Sequence, residues 1–146
     1  EIRLFAQFVD ELREESDLKI GVVGVKCFRP FPVEVMGEAL EGAKTVVVLE
    51  RTLAVGSGGV LSRDIMVSLK DPNVARYTVI AGLGGRAITK ASLKKMLKDA
   101  AAHQLEALTF MDLNKELVER QLERERKTRK SGPVPEALIR DAAMHQ

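Results

Sequence analysis

At 146 residues, with 45% apolar and 30% charged side chains and no Trp, the chain is one domain's worth of globular protein, and wholesale disorder is excluded. Its 23 Lys and Arg against 21 Asp and Glu leave a net charge of +2, too small to imply a polyanionic partner. The single cysteine, Cys27, makes no internal disulfide and by itself holds neither an iron–sulfur cluster nor a structural zinc, which suits a reducing, cytoplasmic compartment.

No apolar run approaches the roughly 20 residues of a membrane helix, and no signal-like segment precedes the first charged helix, so a soluble protein is expected. The chain begins at Glu1, without an initiator Met and already inside a helical pattern, which reads as a processed product or a piece of a longer chain.

Ile2, Phe5, Val9 and Leu12 recur at helical spacing, widened by Leu4 and Phe8, with Asp10, Glu11, Arg13, Glu14 and Glu15 opposite. This predicts an amphipathic helix. Leu18 to Phe28 is dense in β-branched residues with apolar side chains on both parities, the pattern of a strand covered on both faces. Pro30 and Pro32 end it, and because Pro suits a first helical turn, a helix starts near Pro32 with Val33, Met36 and Leu40 inward and Gly42 as its stop. Lys44 to Glu50 reads as a second buried strand, Arg51 to Gly59 as a Gly-rich loop, and Gly59 or Val60 to Lys70 as a helix carrying Leu61, Ile65 and Leu69. Asp71-Pro72-Asn73 breaks it. Ala75 to Ala81 is a third strand, and Thr89 is placed to cap a helix carrying Leu93, Met96 and Leu97. Strands separated by helices imply parallel pairing through right-handed crossovers, so the expected fold is a three-layer α/β/α sandwich with a mainly parallel sheet over residues 1–105.

Residues 106–146 read as a charged, largely helical tail. Leu108 to Met111 suits a fourth strand or a docking segment. Lys115 to Lys130 is nearly all charge, with Glu116/Arg120, Glu123/Lys127 and Glu125/Arg129 at the favourable i, i+4 spacing. Acidic residues interrupt its basic ones and no aromatic is interleaved for base stacking, so a solvated or subunit-contacting helix is expected rather than a nucleic-acid site. Ser131-Gly132-Pro133 ends this helix, and one more weak helix is expected over Pro135 to Met144.

Ligands of open α/β sheets bind at the carboxyl ends of strands, here Cys27 to Pro32, Glu50 to Gly59 and Gly82 to Arg86. Arg29, Glu50, Arg51, Gly58, Gly59, Gly84, Gly85 and Arg86 are therefore the candidate interface or anion-site residues. Gly56 to Gly59 leads into a helix whose amides suit an anion, yet it lacks the Lys-Ser/Thr of a P-loop. Gly82 to Ala87 fits G-x-G-x-x-A after a strand, but the helix begins only at Thr89 and no acidic residue follows at the required distance. His103 and His145 stand without partners at metal-ligand spacing, and Cys27 reads as a buried structural thiol. No paired carboxylates and no Ser/His/Asp constellation are visible. From the residues alone there is no active site.

The strand ends KCFRPFP (Lys26–Pro32), VVVLERTLAVGSGGVL (Val46–Leu61) and IAGLGGRAIT (Ile80–Thr89) together resemble the C-terminal domain of the alpha subunit of pyruvate:ferredoxin oxidoreductases, over about residues 1–101. The GLGGR form resembles the pyruvate branch of the family rather than the 2-oxoglutarate branch. The resemblance implies a transketolase C-terminal-like domain with no catalytic, cofactor or metal residues of its own. It implies an assembled enzyme that uses thiamine diphosphate, Mg²⁺ and iron–sulfur clusters held elsewhere, with coenzyme A and ferredoxin as its other partners. In that family a central strand precedes the first helix. Without it, Ile20 to Val25 is expected to pair directly with Val46 to Leu49, to take Leu108 to Met111 as a substitute, or to self-associate as a homo-oligomer. The alternative function is a free-standing α/β module binding a small anion or nucleotide at Gly56–Gly59 and Gly82–Arg86.

Overall fold

The structure, a computed structural model, describes residues 2–128 and divides into two units, Glu1–Asp112 and Leu113–Gln146. In chain order the first unit holds helix α1 (Ile2–Glu15), helix α2 (Val33–Ala39), strand β1 (Thr45–Glu50), and a two-residue-per-arm hairpin of β2 (Leu53–Ala54) and β3 (Gly58–Gly59). Helix α3 (Val60–Ser68), strand β4 (Ala75–Ile80), a short 3₁₀ turn at Leu83–Gly85, helix α4 (Lys90–Ala101) and strand β5 (Leu108–Phe110) follow. The second unit contributes helix α5 (Lys115–Thr128), whose Asn114 side chain accepts the Leu117 N–H at 3.0 Å as a cap. The break at Ser131–Pro133 and the helix expected over Pro135–Met144 lie outside the described residues.

The sheet runs β1-β4-β5, all parallel, with Thr45–Glu50 opposite Ala75–Ile80 and Thr78–Ile80 opposite Leu108–Phe110. Successive residues of a strand face opposite sides, and β1 divides accordingly. Val46 and Val48 join Met36, Ile65 and Val74 in a core under α2 and α3, while Val47 and Leu49 pack against Phe8, Val9, Leu12, Val79, Leu93 and Met96 under α1 and α4. Helices thus cover both faces, the expected three-layer α/β/α arrangement. The crossovers do not both follow the right-handed rule. The β1-α3-β4 and β4-α4-β5 connections advance in the same direction across the sheet with their helices on opposite faces, so they have opposite hands.

Two expectations are corrected. Leu18 to Phe28 joins no ladder: it runs as irregular chain, held at one end by the Arg13 side chain donating to the Ile20 carbonyl at 2.6 Å. Its apolar residues are shared between the cores, Ile20 with the α1/α4 side and Val25 with the α2/α3 side, while Val22 and Val23 are exposed. Direct pairing with β1 is therefore absent, and Leu108–Phe110 does not substitute, because it pairs with β4 at the other side of the sheet. Leu108–Phe110 instead takes the place of a fourth strand, β5, within the unit Glu1–Asp112.

Candidate functional site

The last residue of β1 controls the strand-end region. Glu50 is nearly buried, and its Oε2 accepts the Val60 and Leu61 N–H groups at 2.8 and 2.9 Å while Oε1 accepts that of Ser62 at 3.1 Å. These are the free first-turn amides of α3, where the positive end of the helix dipole also favours a carboxylate. The approach needs Gly59: a Cβ there would lie 1.9 Å from Glu50 Oε1 and 2.5 Å from Ser62 Oγ. The helix end that the Gly-rich loop offers to an anion is thus occupied by the chain's own carboxylate, which would also repel an incoming one.

The Gly82–Arg86 turn is separated from α4. Gly82, Gly84 and Gly85 have positive φ, and α4 starts only at Lys90, capped by Thr89 Oγ1 accepting from the Ser92 N–H at 3.1 Å. The glycines shape a turn and leave no helix amides pointing at a pyrophosphate.

The candidate cations are pinned one by one. Arg29 lies with its guanidinium 4.0 Å from the Phe28 ring centre and donates to Asp64 of α3 at 2.8 Å. Arg51 passes beside Gly82, its Nε 3.2 Å from the position a Cβ would take. Arg86 donates to the Asp112 carbonyl at 2.6 Å, and Arg63 donates to Ser57. The sequence-marked residues lie at or beyond the carboxyl ends of β1 and β4, in the β2–β3 hairpin, or in the segment before α2, and their contacts lead in different directions. Glu50 turns into α3, Arg29 ties to α3's flank, and Arg86 ties to the end of β5. Two clefts open elsewhere, one of about 370 Å³ around Gly42, Lys44 and Lys70 at the amino end of the strands and one of about 180 Å³ between α1 and α4.

Sequence reasoning missed the exposed tips: Val55, 95% exposed on the β2–β3 turn, Leu83 on the glycine turn, and Phe28. The Gly-rich segment Arg51 to Gly59 reads as plain loop, so an apolar residue displayed on a hairpin within it carries no signal of its own. Cys27 is also corrected, since it is exposed, its thiol donating to the Pro30 carbonyl at 3.4 Å. Among the described residues no three or more His, Cys, Asp or Glu side chains gather as a metal site.

Residues 2–93 match the family described as pyruvate:ferredoxin oxidoreductase core domain II. The chain is 36% identical over 92 residues to a protein named pyruvate synthase subunit PorA from Methanothermobacter thermautotrophicus, covering 63% of this chain and 23% of the relative. It is 40% identical over 96 residues to the PorA subunit of Thermotoga maritima, covering 63% and 24%. It is 37% identical over 95 residues to ketoisovalerate oxidoreductase subunit VorA of Pyrococcus furiosus, covering 62% and 23%. The chain thus spans about a quarter of the length of these curated relatives. The matched residues hold all three strand-end segments singled out above and, Met96 excepted, the buried residues of both cores, and the chain belongs to the pyruvate:ferredoxin oxidoreductase core domain II family.

Proposed function

We propose that this chain is a non-catalytic structural domain of the alpha subunit of a 2-oxoacid:ferredoxin oxidoreductase, with pyruvate as the 2-oxoacid. The assembled enzyme would convert pyruvate, coenzyme A and oxidised ferredoxin to acetyl-CoA, CO₂ and reduced ferredoxin in the cytoplasm. Thiamine diphosphate, Mg²⁺ and iron–sulfur clusters would be held by its other parts. The observation that carries this reading is the match over residues 2–93, which lies within the Glu1–Asp112 unit and runs from α1 into the first turn of α4. A closed domain suits the role: the α3 amides are satisfied internally by Glu50, and the strand-end cations are tied to their own chain. No described helix is long and apolar enough to cross a membrane. The partners on this reading are the other subunits, not membrane or nucleic acid.

The VorA relative, as similar as the PorA ones, favours a second reading in which the 2-oxoacid is branched. Co-expression with the remaining subunits, native mass spectrometry and dye reduction with pyruvate against 2-oxoisovalerate decide between them. Assembly with a higher kcat/KM for pyruvate is expected; preference for the branched acid moves the assignment to the second reading, and failure to assemble removes both. The anion-module alternative is tested by calorimetry on the chain alone with phosphate, nucleotides and acetyl-CoA. No saturable binding is expected at micromolar ligand, and a Kd on that order would restore it.

A further inference from the structure

The strand-end loops share three features. The first is charge. Residues 26–32, 50–64 and 81–89 carry five cationic side chains against two carboxylates, an excess of three in a chain whose whole net charge is +2. Glu50 is held by three amides, and Asp64 and Arg29 neutralise each other, so Lys26, Arg51, Arg63 and Arg86 leave these exposed loops cationic.

The second is apolar exposure. Val55 is 95% exposed, Leu83 46% and Phe28 42%. Isolated exposed apolar residues are ordinary, but these three belong to one band. Phe28 carries Arg29, which reaches Asp64; the adjacent Arg63 reaches Ser57 on the Val55 turn; and Arg51 lies against Gly82, next to Leu83. Arginine and aromatic residues beside apolar side chains is the composition that separates protein interfaces from ordinary surface.

The third is shape. Val55 sits at the tip of a hydrogen-bonded hairpin and Leu83 on a turn of left-handed glycines, so both are presented on fixed, projecting backbone. Apolar tips with a guanidinium beside each turn fit a concave protein surface and do not enclose a small anion, whose natural seat on α3 is already filled by Glu50.

We propose that the strand-end band of Phe28, Arg29, Val55, Arg63, Leu83 and Arg86 docks onto an acidic, apolar-floored recess of another subunit. This rests on the functional reading above and adds which face is used and the chemistry of its partner. The test uses the complete alpha subunit bearing Val55→Asp or Arg63→Glu, with Lys95→Glu on the exposed side of α4 as the control, each mixed with the remaining subunits. The first two should weaken association at least about tenfold at unchanged melting temperature, and the control should not. Wild-type affinity should fall as salt rises. Val55 contributes little to folding at its exposure, so its variant stays informative even if Arg63→Glu disturbs the hairpin. Both variants assembling with wild-type affinity would overturn this inference alone. A wild-type subunit that does not assemble would overturn the functional reading with it.

Discussion

A methyl group on Gly59 and the carboxylate of Glu50 claim the same space. Gly59→Ala should therefore cost about 1–3 kcal/mol, the usual penalty for forcing atoms into a filled site. Glu50→Ala strands three helix amides and should cost a similar amount, roughly 1–3 kcal/mol. The two losses should be less than additive, because removing the carboxylate removes most of what the methyl strikes. Urea unfolding of the single and double variants measures this, and full additivity would mean that Glu50 does not occupy the α3 terminus. A second residue-scale expectation concerns Glu15, whose carboxyl is held below the ordinary glutamate range chiefly by its hydrogen bond and ion pair with Lys94, with Lys98 and Lys90 adding smaller attractions. A depressed carboxylate pKa stabilises the fold above the unfolded value and loses that contribution as pH falls through the folded one. The stability gap between wild type and Lys94→Gln should be constant above about pH 4.5 and shrink below it. A gap that widens with acid contradicts the pairing. Placing Glu50 at a strand's carboxyl end was legible in the α-β alternation. Its use as a cap was not, because nothing local in the sequence aims a side chain at amides ten to twelve residues away.

At the level of elements, α1, α4, β1 and β4 were legible because their apolar spacing serves one face of a helix or both faces of a sheet. Leu18 to Phe28 misled for a physical reason: its two-sided apolar pattern is real, since Ile20 and Val25 enter different cores, but burial at a sheet's margin does not require ladder hydrogen bonds. The β2–β3 hairpin escaped because four of its residues are glycine or serine, which carry no alternation to read. The packing of α1 offers the clearest element-scale test. Leu12 is 1% exposed and meets both α4 and β4 through the shared core. Leu12→Ala should cost 2–5 kcal/mol, about what deleting a buried leucine costs where the site cannot collapse. Chemical denaturation checks it, and a loss under about 1 kcal/mol would mean that α1 is peripheral to the fold.

For the molecule as a whole, the decisive feature is the margin of the sheet beyond β1. Within the described sheet β1 has a strand neighbour on one side only, and the apolar chain from Ile20 to Val25, which sends Ile20 into one core and Val25 into the other, joins no ladder. An edge strand presents a row of backbone donors and acceptors, and natural proteins guard such edges with charge, proline or bulges. Val46, Val47, Val48 and Leu49 supply none of these, and Val22 and Val23 add exposed apolar surface of their own. The unguarded edge is therefore a template for another strand, and for the chain on its own the available strand is that of a second copy. Studied alone, the chain should form dimers or larger species whose population rises with concentration. Sedimentation velocity across a hundredfold range of concentration reads this directly. Lys substituted at Val22 and Val23, which charges the margin without touching either core, should shift the distribution towards monomer. A wild-type chain that sediments as monomer throughout would show that the Ile20–Val25 segment is itself enough to shield the edge.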